Sequence, residues 1–390
     1  MAGYGLVLAG GGGKGAYQLG AWKALKEMDV RFDAIVGASI GSINGALIAA
    51  DEYDKAVDMW NNISIDKGLK INSDLPDPEN LLSKKNWGTL FREFIKKGGI
   101  DASPAKEFVS QYIDEEKVRA SVADFGVIAV QLSQPGGKYE FFLDSIPEGE
   151  LVNYLMASAS VPFTSNIGPE GEKYLDGGAY DNIPVTSLKK RGYNRLIVVD
   201  ISNIKGVGHS LDLINSQIIY IRPYDMEELG AAFDFEPATI EKRIQLGYYD
   251  TKKAFSHLSG KIYYFLPKTF RSMVIKYGAD TVLQLEELAY SLGVDLLQIY
   301  TAEGFILASK EAFLAYRKES EAKKETPEVK PSSTAENESK PTLLSRLKEK
   351  QDSKENEQSF IRSTLKKRFS SKNPLTDYPD AVALMDNYII

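Results

Sequence analysis

Ser39 lies at the centre of Gly37-Ala38-Ser39-Ile40-Gly41, a G-x-S-x-G pentapeptide. The pentapeptide separates a short apolar run, Asp33 to Gly37, from Ser42 to Ala50, whose pattern predicts a helix. A serine at so sharp a strand-to-helix turn must take a strained backbone, and glycine two residues before and two after leaves room for it. The hydroxyl then stands exposed at the positive end of a helix, where developing negative charge is favoured. That is a nucleophile elbow. The ordinary alternative is a turn in which Ser39 only caps the helix.

A glycine run, Gly10-Gly11-Gly12-Gly13-Lys14-Gly15, follows the apolar strand-like stretch Tyr4 to Ala9 and precedes a helical pattern from Ala16 to Met28. As a G-x-G-x-x-G dinucleotide fingerprint it needs an acid at the end of the second strand, where Gly37-Ala38-Ser39 stands instead. As a phosphate loop it fails, because Lys14 is followed by Gly15 rather than by Ser or Thr. As an oxyanion hole it works, since consecutive glycine amides can turn toward one point. Lys14 itself reads as a solvated loop lysine rather than a source of potential at that hole.

A serine nucleophile needs a base. Asp176-Gly177-Gly178 follows the strand-like Lys173-Tyr174-Leu175, and small neighbours let a carboxylate approach another group closely. Asp176 is therefore the candidate base, against the bland reading of an Asp-Gly turn. His209, in the loop Lys205 to Ser210, completes the chain order Ser-Asp-His of a hydrolase triad and stays open as an alternative. His257 falls near a helix end, where a C-capping role is expected.

The composition bounds the rest. With 390 residues, 43% hydrophobic and 26% charged, the chain has ample material for a core and reads as a soluble globular protein. A net charge of −7 argues against a general nucleic-acid binder, but leaves local membrane contact open. No cysteine is present and only two histidines, so a thiolate nucleophile, a disulfide and a His/Cys-rich metal site are excluded. No basic leader or spanning apolar run is visible, which makes a cytoplasmic enzyme the default expectation, with peripheral membrane contact as an option.

The elements that must position these residues alternate. Strands are expected near 4–9, 33–37, 125–130, 138–143 (after a Gly136-Gly137 turn), 173–176, 195–200 and 216–221, with helices between them. Continuous apolar strands of this kind imply a mostly parallel sheet covered on both faces. This core is expected over 1–225, with an irregular stretch at 66–100 that suits a lid. A helical C-terminal region follows over 226–316, with amphipathic segments from Pro237 to Phe255 and beyond. A polar tract over 317–359 has too little apolar surface to offset its chain entropy and is expected to be a disordered linker. The short segment 360–390 ends the chain. Within it Phe360 to Phe369 alternates basic and apolar residues and suits an anionic membrane surface, the alternative being a terminal helix docked on the body.

Taken in order, these motifs resemble the patatin-like phospholipase family in its bacterial form. G-G-G-x-[KR]-G matches Gly10 to Gly15, G-x-S-x-G matches Gly37 to Gly41, and D-G-[AG] matches Asp176 to Gly178. Ser160-Val161-Pro162 also resembles a family segment near the site, and Gly13 at the variable position is a mild departure. The resemblance covers roughly the first 225 residues. It implies a three-layer α/β/α sandwich, a Ser39–Asp176 dyad without histidine, and oxyanion donors among the amides of Gly11, Gly12, Gly13 and Ile40. It further implies a serine lipid acyl hydrolase of phospholipase A or lysophospholipase type, acting on a phospholipid or another acyl-ester lipid with no cofactor or metal. Two other classes stay open: a Ser-Asp-His esterase using His209, and a non-catalytic lipid-binding or scaffold protein.

Overall fold

The computed structural model describes residues 3–64, 103–131, 139–160, 169, 174–176, 178, 181–202, 216–325 and 376–388, with backbone alone at 174–176 and 322–325. The expected lid at 66–100, the Gly136-Gly137 turn, Val161, Pro162, Gly177, His209 and the Phe360 to Phe369 segment lie outside the described residues. The chain divides into two compact units, Met1–Ser256 and His257–Ile390.

The first unit is built on strands β1 (Tyr4–Leu8), β2 (Phe32–Ala38), β3 (Asp124–Gln131), β4 (Glu140–Phe142), β5 (Tyr174–Asp176), β6 (Arg195–Val199) and β7 (Gln217–Ile221). They run in the order β4-β3-β2-β1-β6-β7, with β5 pairing β3. Neighbours from β3 through β7 are parallel, while β4 and β5 lie antiparallel to β3. The central strands are buried almost end to end, as a parallel sheet covered on both faces requires.

Helices α1 (Ala16–Glu27), α2 (Ile40–Ala49), α3 (Tyr53–Asn62), α4 (Ser103–Ser110), α5 (Glu115–Arg119), α6 (Leu151–Ser158), α7 (Val185–Lys190) and α8 (Pro237–Ala254) complete this unit. Side-chain alternation along the strands assigns two of them to opposite faces. Gly45 of α2 faces Phe125, Ile35 and Leu8, whereas Gly5 on the other side of β1 faces Leu188 of α7. The result is the expected α/β/α sandwich. From β1 the chain moves outward to β2 on one side and has β6 on the other, so the sheet changes winding direction there. In open parallel sheets ligands bind beyond the strand carboxyl ends at such a switch point.

The boundary between the units differs from the expected 225. Helix α8, read from the sequence as part of the C-terminal helical region, packs on α1 inside the first unit. Two glycines make the contact backbone to backbone. A Cβ on Gly20 would lie 1.8 Å from the Ile244 carbonyl oxygen, and one on Gly247 would lie 1.9 Å from that of Tyr17. The Tyr17 hydroxyl adds a 2.8 Å hydrogen bond to the buried Asp250 carboxylate. Amphipathic spacing reveals that α8 has a buried face, but not which partner covers it.

In the second unit, α9 (Pro267–Tyr277), α10 (Ala279–Ser291), α11 (Ala302–Glu325) and α12 (Pro379–Asn387) surround a short parallel ladder of β8 (Tyr264–Phe265) and β9 (Ile299–Tyr300). Its core holds an aromatic cluster in which the Phe305 ring lies 4.7 Å from Tyr263, 5.0 Å from Phe265 and 5.2 Å from Tyr300, centroid to centroid. The buried Glu286 carboxylate accepts the backbone N–H groups of Lys261, Ile262 and Tyr263 at 3.1, 2.7 and 2.9 Å. The expected start of the linker at 317 falls inside α11, which runs on to Glu325. Ala, Glu and Lys are strong helix formers, and Arg317 bonds Asp386 at 2.7 Å, so polar composition does not end this helix. At the chain's end, α12 docks through Ala381 and Met385, both wholly buried.

Candidate active site

Ser39 joins β2 to α2 with φ 53° and ψ −128°, a conformation that non-glycine residues rarely adopt. The flanking glycines are explained by contact. A Cβ on Gly37 would lie 2.2 Å from the Gly41 carbonyl oxygen, and one on Gly41 would lie 2.4 Å from that of Leu8. The Ser39 side chain makes no capping bond to the helix, so the bland helix-cap reading is not realised. Ala38 and Ile40 are buried while Ser39 is half-buried, which leaves its hydroxyl accessible beside the first amides of α2. Of those amides, the Ser42 N–H turns back to the Ser39 carbonyl at 2.9 Å, while Ile40 stands at the first position, ahead of the helical ladder.

The strained backbone is held from an unexpected quarter. The Ser39 N–H donates to Ser158 Oγ at 2.8 Å, and that hydroxyl donates to the Ile128 carbonyl at 2.5 Å. Ser158 ends α6 and is wholly buried. No sequence signal marks it, since this helix also carries the polar Asn153 and a serine at its end does not stand out.

The glycine loop runs directly against the elbow. A Cβ on Gly10 would lie 3.1 Å from Ser39 Cβ and 2.6 Å from Asn182 Oδ1, so a side chain there would crowd the serine. Asn182 braces this point, donating from Nδ2 to the Gly10 carbonyl at 3.2 Å and accepting the Gly10 N–H on its own carbonyl at 3.4 Å. Gly12 has φ +57°, and Gly12 to Gly15 close a turn of 3₁₀ helix leading into α1. Underneath, Asn44 donates to the Gly15 carbonyl at 3.0 Å and to Gln18 at 2.8 Å, and accepts from the Trp60 indole at 3.0 Å.

Two expectations about this loop need correction. Gly13, expected among the oxyanion donors, directs its N–H to the Ala232 carbonyl at 2.6 Å, and an amide so engaged is not available to a substrate. Lys14, expected as a solvated loop lysine, is only 7% exposed. Burial lowers its pKa, the Arg243 charge adds to that effect, and Asp200 opposes it. Asp200 is also buried and follows β6, accepting from Ser202 N–H, Ser202 Oγ and the Tyr220 hydroxyl at 2.7 to 2.8 Å.

Asp176 is the last residue of β5. Register sets its backbone opposite Ala129 on β3, while the preceding residue of β3, Ile128, pairs with Ala38. Asp176 and Ser39 therefore both occur at the carboxyl-terminal end of the β2–β3 ladder, each one position beyond that shared pair. His257 does not cap a helix: α8 is closed by Phe255, and His257 is exposed beyond it.

Residues 6–189 match the family model described as patatin-like phospholipase. That stretch of the chain is similar to a patatin-like phospholipase domain. The chain is also similar to curated fungal proteins. Lysophospholipase NTE1 of Kluyveromyces lactis is 30% identical over 205 residues, which cover 51% of this chain and 13% of that protein. Lysophospholipase NTE1 of Saccharomyces cerevisiae is 26% identical over 340 residues, covering 83% of this chain and 18% of that protein. The chain thus spans less than about a fifth of the length of these relatives. Among solved structures, VipD from Legionella pneumophila is similar at 14% identity and a TM-score of 0.40, covering 83% of this chain and 76% of that one.

Proposed function

We propose that this protein is a serine lipid acyl hydrolase, with Ser39 as nucleophile and Asp176 as base, cleaving the carboxylic ester of a phospholipid or lysophospholipid. The observation that carries the reading is the positive φ of Ser39 in direct apposition to the glycine loop. Asp176 removes the proton from Ser39 Oγ as that oxygen bonds to the ester carbonyl carbon. The carbonyl oxygen becomes an oxyanion, met by the amides of Gly11, Gly12 and Ile40, with Gly13 set aside because Ala232 holds its N–H. Collapse breaks the ester C–O bond, and the leaving alcohol takes the proton from Asp176. Water then attacks the acyl-enzyme, giving one proton to Asp176. The tetrahedral intermediate releases the fatty acid, and Ser39 Oγ recovers the proton. The lipid class is supported by the family match and by the names of the fungal relatives.

The test is hydrolysis of a short-chain nitrophenyl ester, and then of a lysophospholipid, by folded wild type, Ser39→Ala, Asp176→Asn and His209→Ala. We expect the first two substitutions to lower kcat by about 100- to 10,000-fold, while His209→Ala stays near wild type and EDTA has no effect. Loss in His209→Ala as well would move the enzyme to a triad, and full activity in Ser39→Ala would end the serine mechanism.

A further inference from the structure

Four consecutive glycines make the most conformationally free stretch a chain can have, yet an oxyanion hole works only if its donors are fixed before the charge develops. Something outside the loop must therefore hold it. Asn182 fixes its first residue and Asn44 its last. The middle, at Gly12 and Gly13, is met by a different segment, residues 229–234. A Cβ on Gly12 would lie 2.5 Å from the Ala232 carbonyl oxygen, and one on Gly13 would lie 2.7 Å from that of Asp234. The Gly13 N–H completes the contact by its 2.6 Å bond to Ala232.

That segment is anchored at its start by the wholly buried Leu229, but the residues after it have little burial of their own to hold them. Gly230 and Ala231 are exposed, and Ala232, Phe233 and Asp234 are half-buried. What it does have is a guanidinium beneath it. Arg243 of α8 is 0% exposed, and its donors fan out to three carbonyls of the segment. Nε bonds Leu229 at 2.8 Å, Nη2 bonds Ala231 at 2.8 Å, and Nη1 bonds Asp234 at 2.6 Å. The three carbonyls bracket Ala232. Desolvating a guanidinium is costly unless its donors are met, and a planar fork is the side chain that can span three acceptors at once. Arg243 Nη1 also lies 3.0 Å from where a Cβ on Gly13 would be, so the charge abuts the loop itself.

We propose that Arg243 is a positioning residue for the oxyanion loop, locking residues 229–234 so that Ala232 holds Gly13 and fixes the path of Gly12. The proposal rests on the hydrolase reading above. Arg243 touches no reacting atom; it acts through Ala232. Loosening it lets the Gly11 and Gly12 amides drift, and a misplacement of about 1 Å costs on the order of 100-fold in rate.

The test uses the full chain with Arg243→Lys, which keeps the cation but cannot span three carbonyls, and Asp234→Asn, a half-buried change that loosens the same segment through the Thr239 and Glu236 contacts at 3.1 Å. Nitrophenyl ester kinetics are read as kcat and KM separately, beside amide hydrogen exchange at Gly13. For Arg243→Lys we expect kcat to fall at least about tenfold, KM to stay within about threefold, and Gly13 exchange to quicken while β1 and β2 stay protected. Asp234→Asn should move kcat and exchange the same way by less, and it decides the matter if Arg243→Lys does not fold. A kcat within about twofold of wild type, or a fall in kcat with Gly13 exchange unchanged, overturns the role of Arg243. An inactive wild type instead overturns the hydrolase reading, and the oxyanion assignment with it.

Discussion

At the residue scale, the site depends on backbone groups as much as on side chains. Ser39 keeps an unfavourable conformation because its N–H has a buried acceptor, Ser158 Oγ, that is itself anchored to Ile128. Removing the acceptor leaves a half-buried donor unsatisfied, at a cost of up to about 1–3 kcal/mol. We therefore expect Ser158→Ala to melt lower than wild type and to lose roughly tenfold in kcat as the elbow relaxes. Paired thermal melts and ester kinetics check this, and an unchanged kcat would mean that the sheet and α2 hold the turn unaided. The buried Arg243 shows the same logic with a charge: burial draws its pKa down to about 10, against the pull of the Asp234 carboxylate. At neutral pH it remains a cation, so its hydrogen bonds to the carbonyls are charge-assisted.

At the scale of elements, the packing of α1 on α8 brings residues from distant parts of the chain to the back of the glycine loop. Gly20 and Gly247 allow the approach, and polar pairs fix its register. Glu27 on α1 accepts from the Tyr248 hydroxyl at 2.7 Å and pairs with Lys252 at 3.0 Å, both on α8. Partial burial pushes the Glu27 pKa up, but the bonds from Tyr248 and Lys252 outweigh it and hold the carboxyl below 4.5. A carboxylate depressed in the folded state stabilises at pH above its unfolded value, and that contribution is lost as pH falls through the folded value. Glu27→Gln should thus lower Tm by about 1–3 °C at neutral pH, the pair being substantially exposed. The gap should close as pH drops below about 4.5. Melts across that range check it, and a gap that persists in acid would mean packing rather than charge.

At the scale of the whole molecule, each unit has its own core, and the second is completed only by the far end of the chain. Tyr378, Ala381 and Met385 are buried among α10 and α11, Gln284 and Asp380 bond reciprocally at 2.9 and 3.0 Å, and Lys310 bonds the carbonyls of Met385 and Tyr388 at 2.5 and 2.6 Å. Burying a large apolar side chain contributes about 1.5–3 kcal/mol, so α12 is a substantial part of so small a core. Deleting 376–390 should lower the melting temperature of the second unit by about 5–10 °C, read by calorimetry. It should also speed hydrogen exchange across α10 and α11. Unchanged exchange there would show that α12 adds nothing to the unit.

Much of this protein was legible without coordinates because the decisive constraints are local. Gly37 and Gly41 must be glycine for the elbow to turn, and continuous apolar runs such as Leu6 to Ala9 and Leu196 to Val199 require a sheet buried on both faces. Those are short-range facts of sterics and hydration, and they carry the fold class, the order of the motifs and the candidate nucleophile. What the sequence could not supply are contacts between residues far apart along the chain. Ser158 meets Ser39 across 119 positions, and nothing near either residue announces it. The diversion of the Gly13 amide to Ala232, the burial of Lys14 and Arg243, the end of the first unit at Ser256 and the return of α12 are of the same kind. Each depends on which surface covers which, and a repeating pattern records that a face is buried but not by what.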